Sequence, residues 1–462
     1  MSETSSQSQS LQKDLIGSYF LSLWHKNSKT LNLAPKSEEE EELPTALDTV
    51  KSSGGFSLVG PDKLSVSYPT VDLHGYDVGV VQANFPAPSK QLLYYFEIHV
   101  KNAGAKGQIV IGFTTPSFKL PRQPGWEANS YGYRGDDGML YRGHGNGETF
   151  GPTFSTGDTV GCGINYASQE FFFTKNSAVI GSVYKDIKGP LFPTVSVHSQ
   201  HEEVTVNFGK QSFVFDLEAY EAECREKEQL EIDSISMSQD PSYGIVRSYL
   251  QHYGYEETLN MLDAARESNI PPISALPEIG SNDEDSMYAL NQRRTLRQLI
   301  RCGDIDETFS KLQEWYPQIV QDDASTVCFL LHCQKFIELV RVKKLEEAVM
   351  YGRNEFSKFE KFPEFDDLVK DCAALLAYQQ PENYSVGYLL QESQKELLAD
   401  AVNAKILSTN PNVKDATICV NSVLERLIRQ LGACFMEKRA LNGDQGETFN
   451  LHKILDRAGP TY

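Results

Sequence analysis

The sequence predicts a multidomain chain, an antiparallel β-sandwich followed by an all-α helical module. Three observations carry this. The hydrophobic period changes near residue 240, from short alternating runs to helical stripes. Turn signals punctuate the first half. A short cassette, Ser242 to Leu262, sits at the change, with apolar residues at Ile245, Val246, Tyr249, Leu250, Leu259 and Leu262 and a break at Gly254. That pattern is two short helices joined by a glycine cap, each with one greasy face. So small a unit cannot bury that face alone, so it needs a second copy or another part of the chain.

Taken in order, residues 1–45 read as a weakly structured N-terminal segment. A helix is possible over Leu11 to Trp24, and five glutamates run from Glu38 to Glu42 as solvated linker. Residues 46–215 have β texture. Strands are expected at Leu64 to Tyr68, Tyr94 to Val100, Gln108 to Phe113, Thr159 to Ile164, Glu170 to Thr174 and Val204 to Phe208. Turns separate them at Lys101 to Gly104, Gly135 to Gly138 and Lys175-Asn176. About 160 residues of this kind fit one sandwich.

Residues 216–239 are a charged helical linker. The cassette occupies 240–272, ending at Pro271-Pro272. Helices follow over 287–345 and 346–460. Leu296, Leu299 and Ile300 form one stripe, which Cys302-Gly303 ends. Tyr316-Pro317 ends the next, since proline cannot continue a helix. Phe329 to Val342, Leu345 to Phe356, Phe365 to Tyr378, Gln391 to Leu407 and Asp415 to Phe435 complete the series. Phe329, Leu331, Phe336 and Ile337 read as core.

The chain has 462 residues, a net charge of −20 and 40% hydrophobic content. The acidic balance argues against nucleic acid, whose phosphates need Lys and Arg stripes, and against an anionic membrane. No apolar run is long enough to span a bilayer, and the N-terminus does not read as a signal peptide. The eight cysteines form no Cys-x-x-Cys pair, so reduced thiols are expected. A cytoplasmic and nuclear protein is the resulting expectation.

No recognisable catalytic apparatus is found. Gly143 to Gly151 is glycine-rich, but Pro152 stands where a phosphate loop needs Lys and Ser or Thr, so it reads as a long loop between strands. Asp136-Asp137, lying between glycines, reads as a tight turn rather than a cation site. His198 and His201 lack the companions of a zinc site. No enzyme activity, cofactor or metal is expected.

Several strings together resemble one family. Asp62 to Asn84, Pro124-Gly-Trp126, Ser130 to Gly138 and Gly151 to Asp158 are similar to the SPRY (B30.2) domain of the RanBPM family. The cassette, through Tyr249-Leu250 and Gly254-Tyr255, is similar to a LisH motif. Leu296 to Val340 resembles a CTLH motif, and Leu375 to Tyr378 with Pro381 and Gly387 resembles the CRA region. The resemblance spans residues 50–435 in the family's domain order. It implies a non-catalytic scaffold or adaptor subunit of the multi-subunit GID/CTLH E3 ubiquitin ligase. Sister subunits would supply the RING that this chain lacks.

The resemblance also implies a peptide cleft on the sandwich loops, placed at Tyr141, Val197 and His198 by neighbouring strings and at Tyr76, Thr115 and Arg142 by loop position. For Tyr141 two readings stand, peptide contact or packing of the sandwich edge. Ile245, Val246, Tyr249, Leu250, Leu259 and Leu262 are the expected dimerisation face, with packing on the chain's own C-terminal helices as the other reading. The partners implied are sister subunits, substrate or adaptor peptides and a homo- or hetero-oligomer. A free-standing adaptor for the Ran GTPase or a receptor tail is the alternative.

Overall fold

The computed structural model describes residues 14–30, 41–52, 57–69, 78–120, 122–143, 145–235, 239–265, 287–321 and 325–451. The chain divides into two units. One joins Glu39–Ser236 to Leu431–Tyr462, and the other joins Met1–Glu38 to Met237–Gln430.

The first unit is the sandwich. One sheet has the order β1 (Leu47–Ser52), β4 (Gly79–Ala83), β13 (Phe192–Val197), β6 (Val110–Thr114), β7 (Ser130–Arg134), β8 (Met139–Arg142), β9 (Gly147–Thr149). The other runs β12 (Ala178–Tyr184), β11 (Glu170–Lys175), β10 (Thr159–Asn165), β5 (Leu93–Ala103), β14 (Glu202–Asn207), β3 (Ser65–Ser67), β2 (Leu58–Val59). All described pairs are antiparallel.

Alternation sets the two faces. On β5, Tyr94, Phe96, Ile98 and Val100 point into the core between the sheets with Phe113, Phe171, Phe173 and Val195. Tyr95 points the other way and packs with Phe172, Phe215 and Tyr220 under α2 (Leu217–Ser234). The charged linker is therefore a helix, with Asp216 accepting from the Ala219 amide at its N-cap. Each strand expected from the sequence forms. The pattern missed β1, β2, β4, β7, β8, β9, β12 and β13. Of these, β4, β7 and β13 are buried on both faces and so show no clean alternation.

The second unit is helical. α1 (Leu15–Thr30) opens the chain's described part. After the sandwich come α3 (Gln239–Tyr253), α4 (Glu256–Ala265), α5 (Leu290–Cys302), α6 (Ile305–Trp315), α7 (Pro317–Val320), α8 (Thr326–Arg341), α9 (Leu345–Phe356), α10 (Asp366–Ala374), α11 (Glu392–Leu407) and α12 (Val423–Leu441), which runs across the division between units. Phe329, Leu331, Phe336 and Ile337 are core, as the stripe on α8 requires. Gly303 caps α5 at φ +78°, where an added Cβ would stand 2.9 Å from the Glu338 carboxylate.

The N-terminal expectation needs correction. Among the described residues the helix runs from Leu15 to Thr30, beyond the expected end at Trp24, and it packs into a core; the expected start at Leu11 lies outside the described residues. Ile16, Phe20, Leu21 and Trp24 are buried with residues of α8 and α11. Asp14 fixes its start, accepting from the Gly17 and Thr326 amides at 3.2 and 3.1 Å and pairing with Lys405 at 3.0 Å. The sandwich is thus inserted in the chain between two parts of one helical unit.

Candidate interaction sites

The hairpin of α3 and α4 is the first site. Gly254, at φ +73°, turns the chain between them, and the Tyr255 amide reaches back to the Leu250 carbonyl at 2.9 Å. Arg247 braces the hairpin through Asp263 at 3.1 Å, and the Tyr243 hydroxyl meets the same carboxylate.

Two arginines of α5 hold the C-terminal end of α3. Arg293 Nη1 donates to the carbonyls of Gln251 and His252 at 3.0 and 2.9 Å and to Asn403 Oδ1 at 2.9 Å. Arg297 Nε donates to the Tyr253 carbonyl at 2.9 Å, while its other nitrogens pair with Glu396 and Asp400 of α11. Three terminal carbonyls of one helix are thus met by cations, where the helix dipole favours them. Burial pulls the Arg293 guanidinium down to about 10. The His252 imidazole falls to about 3, through burial first and then the Arg293, Arg426 and Arg297 charges. Nothing in the sequence pattern of α5 marked these arginines, because their acceptors lie about 40 and 100 residues away.

This clamp leaves part of the greasy stripe open. Leu259 is buried in the chain's own fold. Ile245, Tyr249, Leu250 and Leu262 are half-buried. Val246 is 47% exposed and Met261 75%. The stripe is therefore anchored at Leu259, half-covered along α3 and exposed at Val246.

The sandwich residues divide differently. The register places Thr114 beside Ser130 and Phe192, and Tyr131 beside Arg142, so Thr115 and Arg142 sit at one end of that sheet. Ser196 lies beside Val110, and Val110 beside Arg134, so Val197 and His198 sit at the opposite end. Four residue steps between those rows amount to roughly 14 Å. The five of the expected residues that are described do not share one end of the sheet. Val197 is 0% exposed and belongs to the core between the sheets, so a peptide cannot touch its side chain. Tyr76 lies outside the described residues. His198 is half-buried, and its amide donates to Glu202 Oε2 at 2.6 Å. Arg142 is exposed and paired with Glu148 at 2.9 Å.

Tyr141 is buried on β8, one strand in from the sheet edge. Its ring lies 6.4 Å from that of the exposed Trp126, nearly parallel, and its hydroxyl donates to Asp137 Oδ2 at 2.7 Å. Burial and the Asp137 carboxylate raise its phenol above the ordinary range. Asp136 is taken by Arg134 at 2.6 Å, and Asp137 also accepts from the Met139 amide at 2.9 Å. Asp136-Asp137 is the tight turn expected. Within Gly143 to Gly151, expected as a long loop, Gly147–Thr149 form β9, which pairs with β8 with Tyr141 opposite Gly147.

In the helical unit a cavity of about 400 Å³ is lined by Phe336, Val349, Phe356, Phe359, Phe365 and Val369. Among the described residues no cluster of His, Cys, Asp and Glu could hold a metal ion. No helix there is long and apolar enough to cross a membrane.

Comparison with known proteins agrees with this division. The SPRY domain model matches residues 93–211, and the model for the CTLH/CRA C-terminal to LisH motif domain matches 289–435. An Arabidopsis thaliana protein named Ran-binding protein M homolog is 62% identical over 91% of this chain and 91% of its own length. Ran-binding protein 10 of Danio rerio is 31% identical over 68% of this chain and 51% of its own. A crystal structure of a human SPRY domain is 35% identical over 34% of this chain and 98% of that domain, with a TM-score of 0.31.

Proposed function

The chain belongs to the Ran-binding protein M family, a family of protein-interaction scaffolds, and from that membership we propose that it is a scaffold subunit of a GID/CTLH-type ubiquitin ligase. The carrying observation is the α3–α4 hairpin. Arg293 and Arg297 fix it rigidly to α5, yet Val246 stays exposed and its neighbours half-covered. A rigid apolar stripe on a fixed base suits a two-fold contact with another LisH hairpin. Sister subunits, one of them RING-bearing, dock on the helical unit, and the sandwich presents target or adaptor peptides. The chain itself takes no part in the chemistry and works in cytoplasm and nucleus.

The test is affinity purification of the tagged chain from native cells with mass spectrometry, beside a Val246→Glu, Tyr249→Glu variant. A RING-bearing partner with the parent chain, lost in the variant, is the expected result. A parent chain that runs as a monomer without such a partner refutes the proposal. The second reading is a free-standing adaptor, supported by the relatives' names, which describe them as Ran-binding. A small complex containing the Ran GTPase and no RING protein would favour it.

A further inference from the structure

The last described residues of the chain belong with the sandwich, and they meet it through polar groups. Lys185, just after β12, is only 3% exposed. Its ammonium donates to two neutral oxygens, the Ile187 carbonyl at 2.9 Å and Gln445 Oε1 at 2.7 Å. The adjacent Asp186 carboxylate is turned to the Tyr131 hydroxyl at 2.6 Å.

The other end of the same amide is read as well. Gln445 Nε2 donates to the Gly189 carbonyl at 2.7 Å, and Gln445 is 4% exposed. A carbonyl can only accept, so the amide has one orientation. A glutamate in its place would set two acceptors against each other. Gly446 follows at φ +107°, a backbone region open to glycine, and its amide donates to the Ser89 carbonyl at 2.7 Å. Glu447 then takes Arg225 of α2 in a bidentate pair at 3.1 and 3.2 Å. Glu221, one turn earlier, orients that guanidinium. Phe449 folds back on Phe435 of α12, ring centroids 5.4 Å apart.

Three successive residues are therefore read by three chemistries: a donor and acceptor pair for the carboxamide, a backbone conformation for the glycine, and a guanidinium fork for the carboxylate. We propose that this face of the sandwich is a binding site for a Gln-Gly-Glu peptide segment, occupied in cis by Gln445–Glu447 and taken in trans by such a segment of a partner protein when the strap lifts. The strap suits displacement. Of Gln445–Glu447 only Gln445 is buried, and hydrogen bonds exchanged with water cost little net free energy. The site deepens the peptide-binding reading of the sandwich and rests on it, but uses none of the loop residues expected from the sequence.

The experiment uses the full chain and a fluorescein-labelled peptide of residues 442–451, read by fluorescence anisotropy. Gly446→Val lifts the strap, because a β-branched residue does not hold φ +107°. The Gly446→Val chain should bind the peptide at least tenfold more tightly than the parent chain. A peptide carrying Gln445→Glu should bind that chain at least tenfold more weakly, and so should the parent peptide on a Gly446→Val, Arg225→Gln chain. Thermal unfolding confirms that each variant is folded. No binding to the folded Gly446→Val chain, or equal binding of the two peptides, overturns the proposal. Intact subunit assembly alongside lost peptide binding removes this inference alone, whereas lost assembly with retained peptide binding removes the ligase reading alone.

Discussion

The two units each recruit a segment from the far end of the chain, and they do so by different physics. The helical unit takes α1 through Ile16, Phe20, Leu21 and Trp24, all inside its main core. The sandwich takes the strap through Gln445, Gly446 and Glu447, all by hydrogen bonds and one ion pair. Full burial of a large apolar side chain stabilises by about 2 kcal/mol, an upper estimate since the unfolded chain already hides some surface. A hydrogen bond exchanged with water contributes about 1 kcal/mol net. The first segment is thus part of its fold, while the second is a ligand tethered to its site. Order in the chain says nothing of this, since both segments are terminal.

The sharpest way to break the contrast is Trp24→Ala. It should cost the helical unit about 3–5 kcal/mol, the range for emptying a core aromatic site. Differential scanning calorimetry should show the helical transition falling while the sandwich transition holds. An unchanged melt would return α1 to the status of a loose appendage.

Arg297→Ala comes next. It strands Asp400 beside a buried gap and frees the Tyr253 carbonyl, while Glu396 keeps its pair with Arg301, at a cost of about 3 kcal/mol. Hydrogen exchange should rise along α3 before it rises in α8. If both accelerate together, the hairpin is no separately held element.

A pH titration gives a smaller effect of known sign. The His252 imidazole, held near 3 in the fold against 6.5 when free, binds its proton later than in the unfolded chain. Stability is therefore full above 6.5 and is lost as pH falls towards 3. The loss should be on the order of 1 kcal/mol at pH 5.5. Urea melts at pH 7.5 and 5.5 should show it, and His252→Gln should reduce the difference. Smallest of all is Arg142→Ala, whose exposed pair with Glu148 is worth under about 0.5 kcal/mol. A larger change in thermal stability would show Arg142 to be structural.

Much of the fold was legible in local pattern. Alternation at Tyr94 to Val100 and at Val204 to Phe208 marked strands because a pleated strand turns successive side chains to opposite faces. Gly254 and Gly303 marked helix ends because few other residues take positive φ. The site was less legible. The resemblance groups Val197 and His198 with Thr115 and Arg142, yet the antiparallel register carries them to the far end of the sheet from those two residues. A peptide cleft inferred from neighbouring strings cannot see that register.

From its sequence alone this protein is determined to be a sandwich followed by helices, with a glycine-capped apolar hairpin between them, since period and capping are properties of a few adjacent residues. Tertiary structure alone decided that Trp24 belongs to a core formed with residues some 300 positions on, that Arg293 and Arg297 grip the hairpin, and that Gln445 answers Lys185. Those choices depend on which surfaces meet when the chain closes over long loops. Burial and hydrogen-bond satisfaction then act on whatever groups are brought together, and no local pattern records the match.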